Sequence, residues 1–163
     1  MKNIILIGMT GCGKSTIGEL LAIKLNYAFY DTDTYIAKLS KKSIQQLFNE
    51  SEEIFRNYES IACEHLSQKT NVVISTGGGV IKRNRNIKVL QRNAIIVFID
   101  RSLQNIEQDI DYSTRPLLAN SPDSLYSLYN QRYPIYKKYA NIIITNDTNI
   151  NNIVDDIAQR ISK

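Results

Sequence analysis

The residues with the clearest chemical potential are Gly8-Met9-Thr10-Gly11-Cys12-Gly13-Lys14-Ser15, which fit the pattern G-x-x-x-x-G-K-[ST]. Glycines at these spacings let successive backbone N–H groups curl into one anion-holding concavity. A lysine then reaches the β- and γ-phosphates of a nucleotide, and a serine hydroxyl ligates Mg²⁺. The flanks fit this use. Asn3-Ile4-Ile5-Leu6-Ile7 is a short apolar run of the kind that forms a buried parallel strand. Ile17, Leu20, Leu21 and Leu25 recur at helical spacing after the loop. Strand, glycine turn and helix in that order point to a nucleoside triphosphate, without saying what it is used for.

Further candidates follow in chain order. Asp31 and Asp33 lie two apart beyond Tyr27-Ala28-Phe29-Tyr30, a second strand. In extended chain both carboxylates face one side, suiting one to a metal's water shell and the other to a hydroxyl proton; the alternative is a helix cap before Tyr35-Ile36-Ala37. Arg56 and Glu59 are three apart on a helix, where spacing alone reads as an exposed ion pair. Gly77-Gly78-Gly79 ends a third strand, where bare backbone lets a ligand approach or simply makes a flexible turn. The segment of about 111–121, with Arg115, has the proline and polar content of a mobile lid or of an ordinary surface loop. Arg132 lies near Pro134, which is expected to kink or shorten its helix.

These residues need a scaffold, and 163 residues suffice for one domain, here 1–163. Five short apolar strands alternate with helices: Asn3–Ile7, Tyr27–Tyr30, Asn71–Ser75, Ala94–Ile99 and Ala140–Ile144. The expected class is α/β, a five-stranded parallel sheet with helices on both faces. A helix opening at Ser51 carries an apolar stripe of Ile54, Phe55, Tyr58, Ile61, Ala62 and Leu66. The final helix carries Ile150, Ile153, Val154, Ile157 and Ile161. The net charge of +4 is mild, and no basic run is interleaved with aromatics, so nucleic acid is not expected as a partner. Cys12 and Cys63 have no metal-ligand or disulfide-framework spacing. No stretch has membrane-spanning length and no export signal is expected, so the reading is a cytoplasmic protein, expected to be a monomer.

Taken together and in order, these pieces resemble the shikimate kinase family over essentially the whole chain. The residues that carry the resemblance are the loop Gly8 to Ser15, Phe29-Tyr30-Asp31-Thr32-Asp33, Phe55-Arg56-Asn57-Tyr58-Glu59, Thr76-Gly77-Gly78-Gly79, Arg115-Pro116-Leu117-Leu118, and Arg132 with Tyr136. The resemblance implies a P-loop kinase fold that transfers the ATP γ-phosphoryl group to the 3-hydroxyl of shikimate. It implies ATP contacts from Gly11, Cys12, Gly13, Lys14, Ser15, Thr16 and Arg115, with Mg²⁺ at Ser15 and Asp31. Asp33 is implied as the residue on the shikimate hydroxyls and the candidate base, making Lys14, Asp33 and Arg115 the catalytic set. Arg56 and Arg132 are implied to grip the shikimate carboxylate, with Glu59, Gly77, Gly78 and Gly79 beside them in a substrate-binding part spanning about 33–60 and the third-strand turn. The chain departs from the family at Gln108, where many members carry a basic residue that stacks on adenine. A gluconate or nucleoside monophosphate kinase, or a non-catalytic nucleotide-binding module, is the alternative.

Overall fold

The computed structural model describes residues 1–111 and 122–163. Five parallel strands, β1 (Asn3–Ile7), β2 (Ala28–Asp31), β3 (Val72–Ser75), β4 (Ala94–Asp100) and β5 (Ile142–Thr145), form one sheet in the order β2-β3-β1-β4-β5. β1 is central. It pairs in register with β3 through Ile5 and Ile74 and with β4 through Ile5 and Ile96. Every residue of β1 is buried, because helices cover both faces, and this is why the strand reads as an unbroken apolar run.

The helices are α1 (Lys14–Leu25), α2 (Thr32–Ser40), α3 (Ile44–Glu50), α4 (Glu52–Ser67), α5 (Asn84–Leu90), α6 (Leu103–Asp109), α7 (Pro122–Tyr139) and α8 (Ile150–Ile161). Local chemistry explains several boundaries. Ser43 caps α3 in a reciprocal capping box with Gln46, and Ser51 caps α4 by accepting from the Ile54 N–H. The basic segment after Asn84 stays helical to Leu90 and then tightens into a 3-10 turn at Gln91–Asn93. α8 turns Ile153, Val154, Ile157 and Ala158 inward, and Lys24 of α1 pairs with its Asp155. Among the described residues no helix is long and apolar enough to cross a membrane.

Among the described residues, two cores hold the molecule together. The larger surrounds the sheet. The smaller, with Ile36, Leu47, Phe55 and Ala62 at its centre, lies among α2, α3 and α4. One expectation about the helices is corrected. Ile61 is 40% exposed, so it is not part of the α4 stripe; the buried apolar positions there are Phe55, Ala62, Cys63 and Leu66. Pro134 lies inside α7 and does not shorten it, the helix continuing to Tyr139. Proline removes one backbone donor, and packing of the flanking side chains keeps the turn in place: Arg132 and Tyr136 are both buried.

The corrected stripe has a direct test in urea unfolding. Ile61→Gln is expected to change stability by no more than about 0.5 kcal/mol, whereas Leu66→Ala, at a fully buried position, is expected to cost about 2–5 kcal/mol.

Candidate active site

The carboxyl ends of β1, β2 and β3 open onto one edge of the sheet, where a cavity of about 270 Å³ is lined by Thr10, Gly11 and Gly13–Thr16 of the loop, by Asp31 and Asp33, and by Ser75–Gly78. Open α/β sheets bind ligands at this edge. The loop makes its turn with Gly8, Gly11 and Gly13 at positive φ (146°, 79° and 96°). Gly13 is the N-cap of α1 and supplies no side-chain cap, so the first N–H groups of that helix are left to an anion. Lys14 is buried, and its ammonium donates to the carbonyls of Gly8 (2.9 Å) and Met9 (2.8 Å). It therefore braces the loop's own backbone, and reaching a phosphate means exchanging those carbonyls for phosphate oxygens. Thr16 is exposed in the first turn of α1, and Cys12 is fully buried behind the loop.

The two aspartates meet at the cavity by a different route from the one expected. Asp31 closes β2 and caps α2, accepting from the Thr34 N–H at 3.1 Å. Asp33 lies in the first helical turn and not in extended chain. The pair still lines one cavity, because the helix starts at the strand's end with no intervening loop. Ser15 Oγ donates to Asp31 Oδ2 at 2.8 Å and stands 3.3 Å from Ser75 Oγ. A hydroxyl and a carboxylate held this close are hard oxygen donors of the type that would hold Mg²⁺.

The turn after β3 gathers the remaining candidates. A Cβ placed on Gly77 would stand 3.1 Å from Asp33 Oδ1 and 3.3 Å from Glu59 Oε2. On Gly78 it would stand 3.1 Å from the Thr10 backbone nitrogen and 3.2 Å from Arg132 Nη1. On Gly79 it would fall 2.4 Å from both terminal nitrogens of Arg56. None of these three glycines has positive φ, so the requirement is space and not backbone conformation. Thr32 Oγ1 accepts from the Gly77 N–H at 2.9 Å, and the Tyr136 hydroxyl donates to the Gly78 carbonyl.

Arg56 and Glu59 are not an exposed pair. They are 5% and 0% exposed, joined Nη1 to Oε1 at 2.8 Å. Arg56 also donates from Nε and Nη2 to Glu52 Oε1, both at 3.3 Å, and packs over Phe55 with its guanidinium carbon 5.0 Å from the ring centroid. Lys82 joins the same Glu52 oxygen at 2.6 Å. Arg132 is 5% exposed, and its Nη2 has no hydrogen-bond partner among the described residues. Burial pushes the Glu59 carboxyl above the usual carboxylate range, and Asp33 adds to this; Arg56 and Arg132 pull the other way without prevailing. Glu52, Ser75, Thr10 and Thr32 are site residues that sequence reasoning missed. Only Glu52, four residues before Arg56, carried a spacing signal. Arg115 and the candidate lid of about 111–121, Asp111 excepted, lie outside the described residues.

The chain is similar to known proteins over nearly its whole length. The family model for shikimate kinase matches residues 10–162. The chain is 46% identical over 158 residues to a shikimate kinase of Clostridium botulinum strain Alaska E43, with 96% of each chain covered. Its fold is similar to the shikimate kinase from Acinetobacter baumannii in complex with shikimate, at a TM-score of 0.94 and 30% identity, covering 99% of this chain and 93% of that one. It is also similar to the shikimate kinase from Aquifex aeolicus, at a TM-score of 0.87 and 35% identity, covering 98% and 96%.

The buried pair predicts a pH effect. A carboxyl whose pKa is raised on folding holds its proton more tightly in the native state, so its contribution is complete at low pH and is lost as pH rises through the raised value. The stability of the wild-type chain relative to Glu59→Gln, from urea unfolding at a series of pH values, is expected to fall as pH rises above the ordinary glutamate range. A constant difference would show that Arg56 fully offsets the burial.

Proposed function

The chain belongs to the shikimate kinase family, and from that premise we propose how its site transfers the ATP γ-phosphoryl group to the 3-hydroxyl of shikimate, giving shikimate 3-phosphate and ADP. The enzyme is an ATP-dependent small-molecule kinase. The observation that carries the substrate assignment is the turn Gly77–Gly79. It lies against the phosphate-binding loop at Thr10 and against two buried guanidinium groups, Arg132 and Arg56, with Thr10 and Arg132 both within reach of one point beside Gly78. A buried guanidinium with an unused donor calls for an anion, and a planar fork matches a carboxylate. A phosphate site and a carboxylate site that meet at one short turn suit an acceptor that carries both a carboxylate and a hydroxyl.

In this reading Arg132 and Arg56 take the shikimate carboxylate, Arg56 being held in place from behind by Glu52 and Glu59. Asp33 binds the acceptor hydroxyl and accepts its proton as the oxygen forms a bond to the γ-phosphorus. The bond from that phosphorus to the β–γ bridging oxygen breaks, and ADP leaves. Ser15 and Asp31 would hold Mg²⁺, which when bound neutralises charge on the phosphate oxygens. Lys14 shifts from the Gly8 and Met9 carbonyls to the phosphates, with loop N–H groups and the start of α1 supporting it. Arg115, as the family resemblance implies, brings a further positive charge. Much of the catalysis is positioning and preorganised charge.

The deciding measurement is ADP release by the purified protein with Mg·ATP, with and without shikimate. Fast release only with shikimate is expected; release with gluconate or a nucleotide instead would overturn the substrate. Asp33→Asn is expected to lower kcat by at least about a hundredfold while ADP affinity measured by calorimetry stays nearly intact. Gly79→Ala is expected to raise KM for shikimate at least about tenfold by displacing the Arg56 guanidinium, with KM for ATP nearly unchanged. Equal increases in both would mean that the turn serves the nucleotide instead.

A further inference from the structure

Two strands on the other side of β1 contribute side chains to the phosphate-binding loop that the mechanism above does not use. β4 ends at Asp100, and the next residue, Arg101, donates from Nη1 to the Gly11 carbonyl at 3.0 Å while its Nη2 pairs with Asp109 near the end of α6. β5 ends at Thr145, and the next residue, Asn146, donates from Nδ2 to the Cys12 carbonyl at 2.8 Å. Two successive loop carbonyls are therefore each held from outside, by the residue that follows a strand. The two anchors share a base. The Asn146 N–H donates to the Asp100 carbonyl at 2.7 Å, adding a rung beyond the β4–β5 ladder, and the Asp100 carboxylate accepts from the Tyr133 hydroxyl at 2.8 Å.

Peptide geometry gives these contacts a consequence. In a trans peptide the C=O and the following N–H point in opposite directions. The Gly11 carbonyl bond fixes a peptide whose N–H, on Cys12, is spent on the Met9 carbonyl at 3.2 Å. The Cys12 carbonyl bond fixes the next peptide, whose N–H belongs to Gly13, a residue that lines the cavity. The fit on the outer side is close: a Cβ on Gly13 would stand 2.8 Å from Asn146 Nδ2. Only the amide nitrogen of Asn146 can serve here, since a carbonyl accepts and does not donate.

We propose that Asn146 is a positioning residue for phosphoryl transfer, clamping the Cys12 carbonyl so that the Gly13 N–H is preset toward the phosphates, with Arg101 holding the adjoining peptide. The inference rests on reading the loop as the ATP site, and it concerns the phosphates and not the base.

The test uses the full chain with Asn146→Ala, with Asn146→Asp as a second variant that is close in size but has no N–H to donate. Calorimetry measures the affinity for Mg·ADP and for inorganic pyrophosphate with Mg²⁺, and steady-state kinetics gives KM for ATP and for shikimate. Loss of one such hydrogen bond is expected to weaken ADP and pyrophosphate in parallel by about five- to tenfold. KM for ATP should rise by a similar factor and KM for shikimate should stay unchanged. Unaltered pyrophosphate affinity overturns the proposal: with ADP alone weakened, Asn146 would be a contact to the base, and with only the melting temperature lowered, a structural residue. If the wild-type chain showed no shikimate-dependent turnover, the pyrophosphate titration would still decide the anchor, so the two readings fail separately.

Discussion

The constraint on which the rest depends is the position of β1 at the middle of a parallel sheet. A strand hydrogen-bonded on both edges and covered on both faces cannot slide without breaking two ladders and exposing an apolar run. Its carboxyl end is therefore a fixed point, and the phosphate-binding loop starts there. All the neighbouring strands run the same way, so each delivers its own following residues to that point. β2 brings Asp31, β3 brings Ser75 and the glycine turn, β4 brings Arg101 and β5 brings Asn146. Sheet order decides the division of labour. The residues on the β3–β2 side line the cavity, and those on the β4–β5 side hold the loop from outside.

Charge around the glycine turn is arranged at close quarters. Arg56, Glu59 and Arg132 are almost completely buried, and burying ions costs several kcal/mol each unless hydrogen bonds and partners offset it. Glu52 and Glu59 offset it for Arg56, and Asp33 makes the balance for Glu59 less favourable. Such a cluster is poor as a stabilising device and good as a preorganised one, since its donors are oriented before a ligand arrives.

Much of this was legible in the chain, and the reasons differ from residue to residue. The loop was legible because its chemistry is local: glycines, lysine and serine at fixed spacing between a strand and a helix. The five strands and the final helix were legible because buried strands and amphipathic helices leave strong patterns. Ile61 misled because Phe55, Ala62 and Leu66 face inward over about three turns of α4, and an isoleucine one step outside that face looks the same in a periodicity argument. Asp33 misled because the start of α2 immediately after β2 changes the period from two to 3.6 with no turn residue to mark it. The Arg56–Glu59 pair looked superficial because spacing tells which residues meet and not how deep they lie. Asn146 and Arg101 carried no local signal at all, since their partners are 134 and 90 residues away.

The small core among α2, α3 and α4 has an evolutionary consequence. Leu47, Ile36, Phe55 and Ala62 pack with one another apart from the core around the sheet, yet Asp33, Arg56 and Glu59 all belong to the helices they hold together. The glycine turn, by contrast, has no room for side chains and so offers selection nothing to vary. A change in the groups offered to the cavity would have to come from this three-helix unit or from α7, with α4 still tied to the sheet core through Cys63 and Leu66.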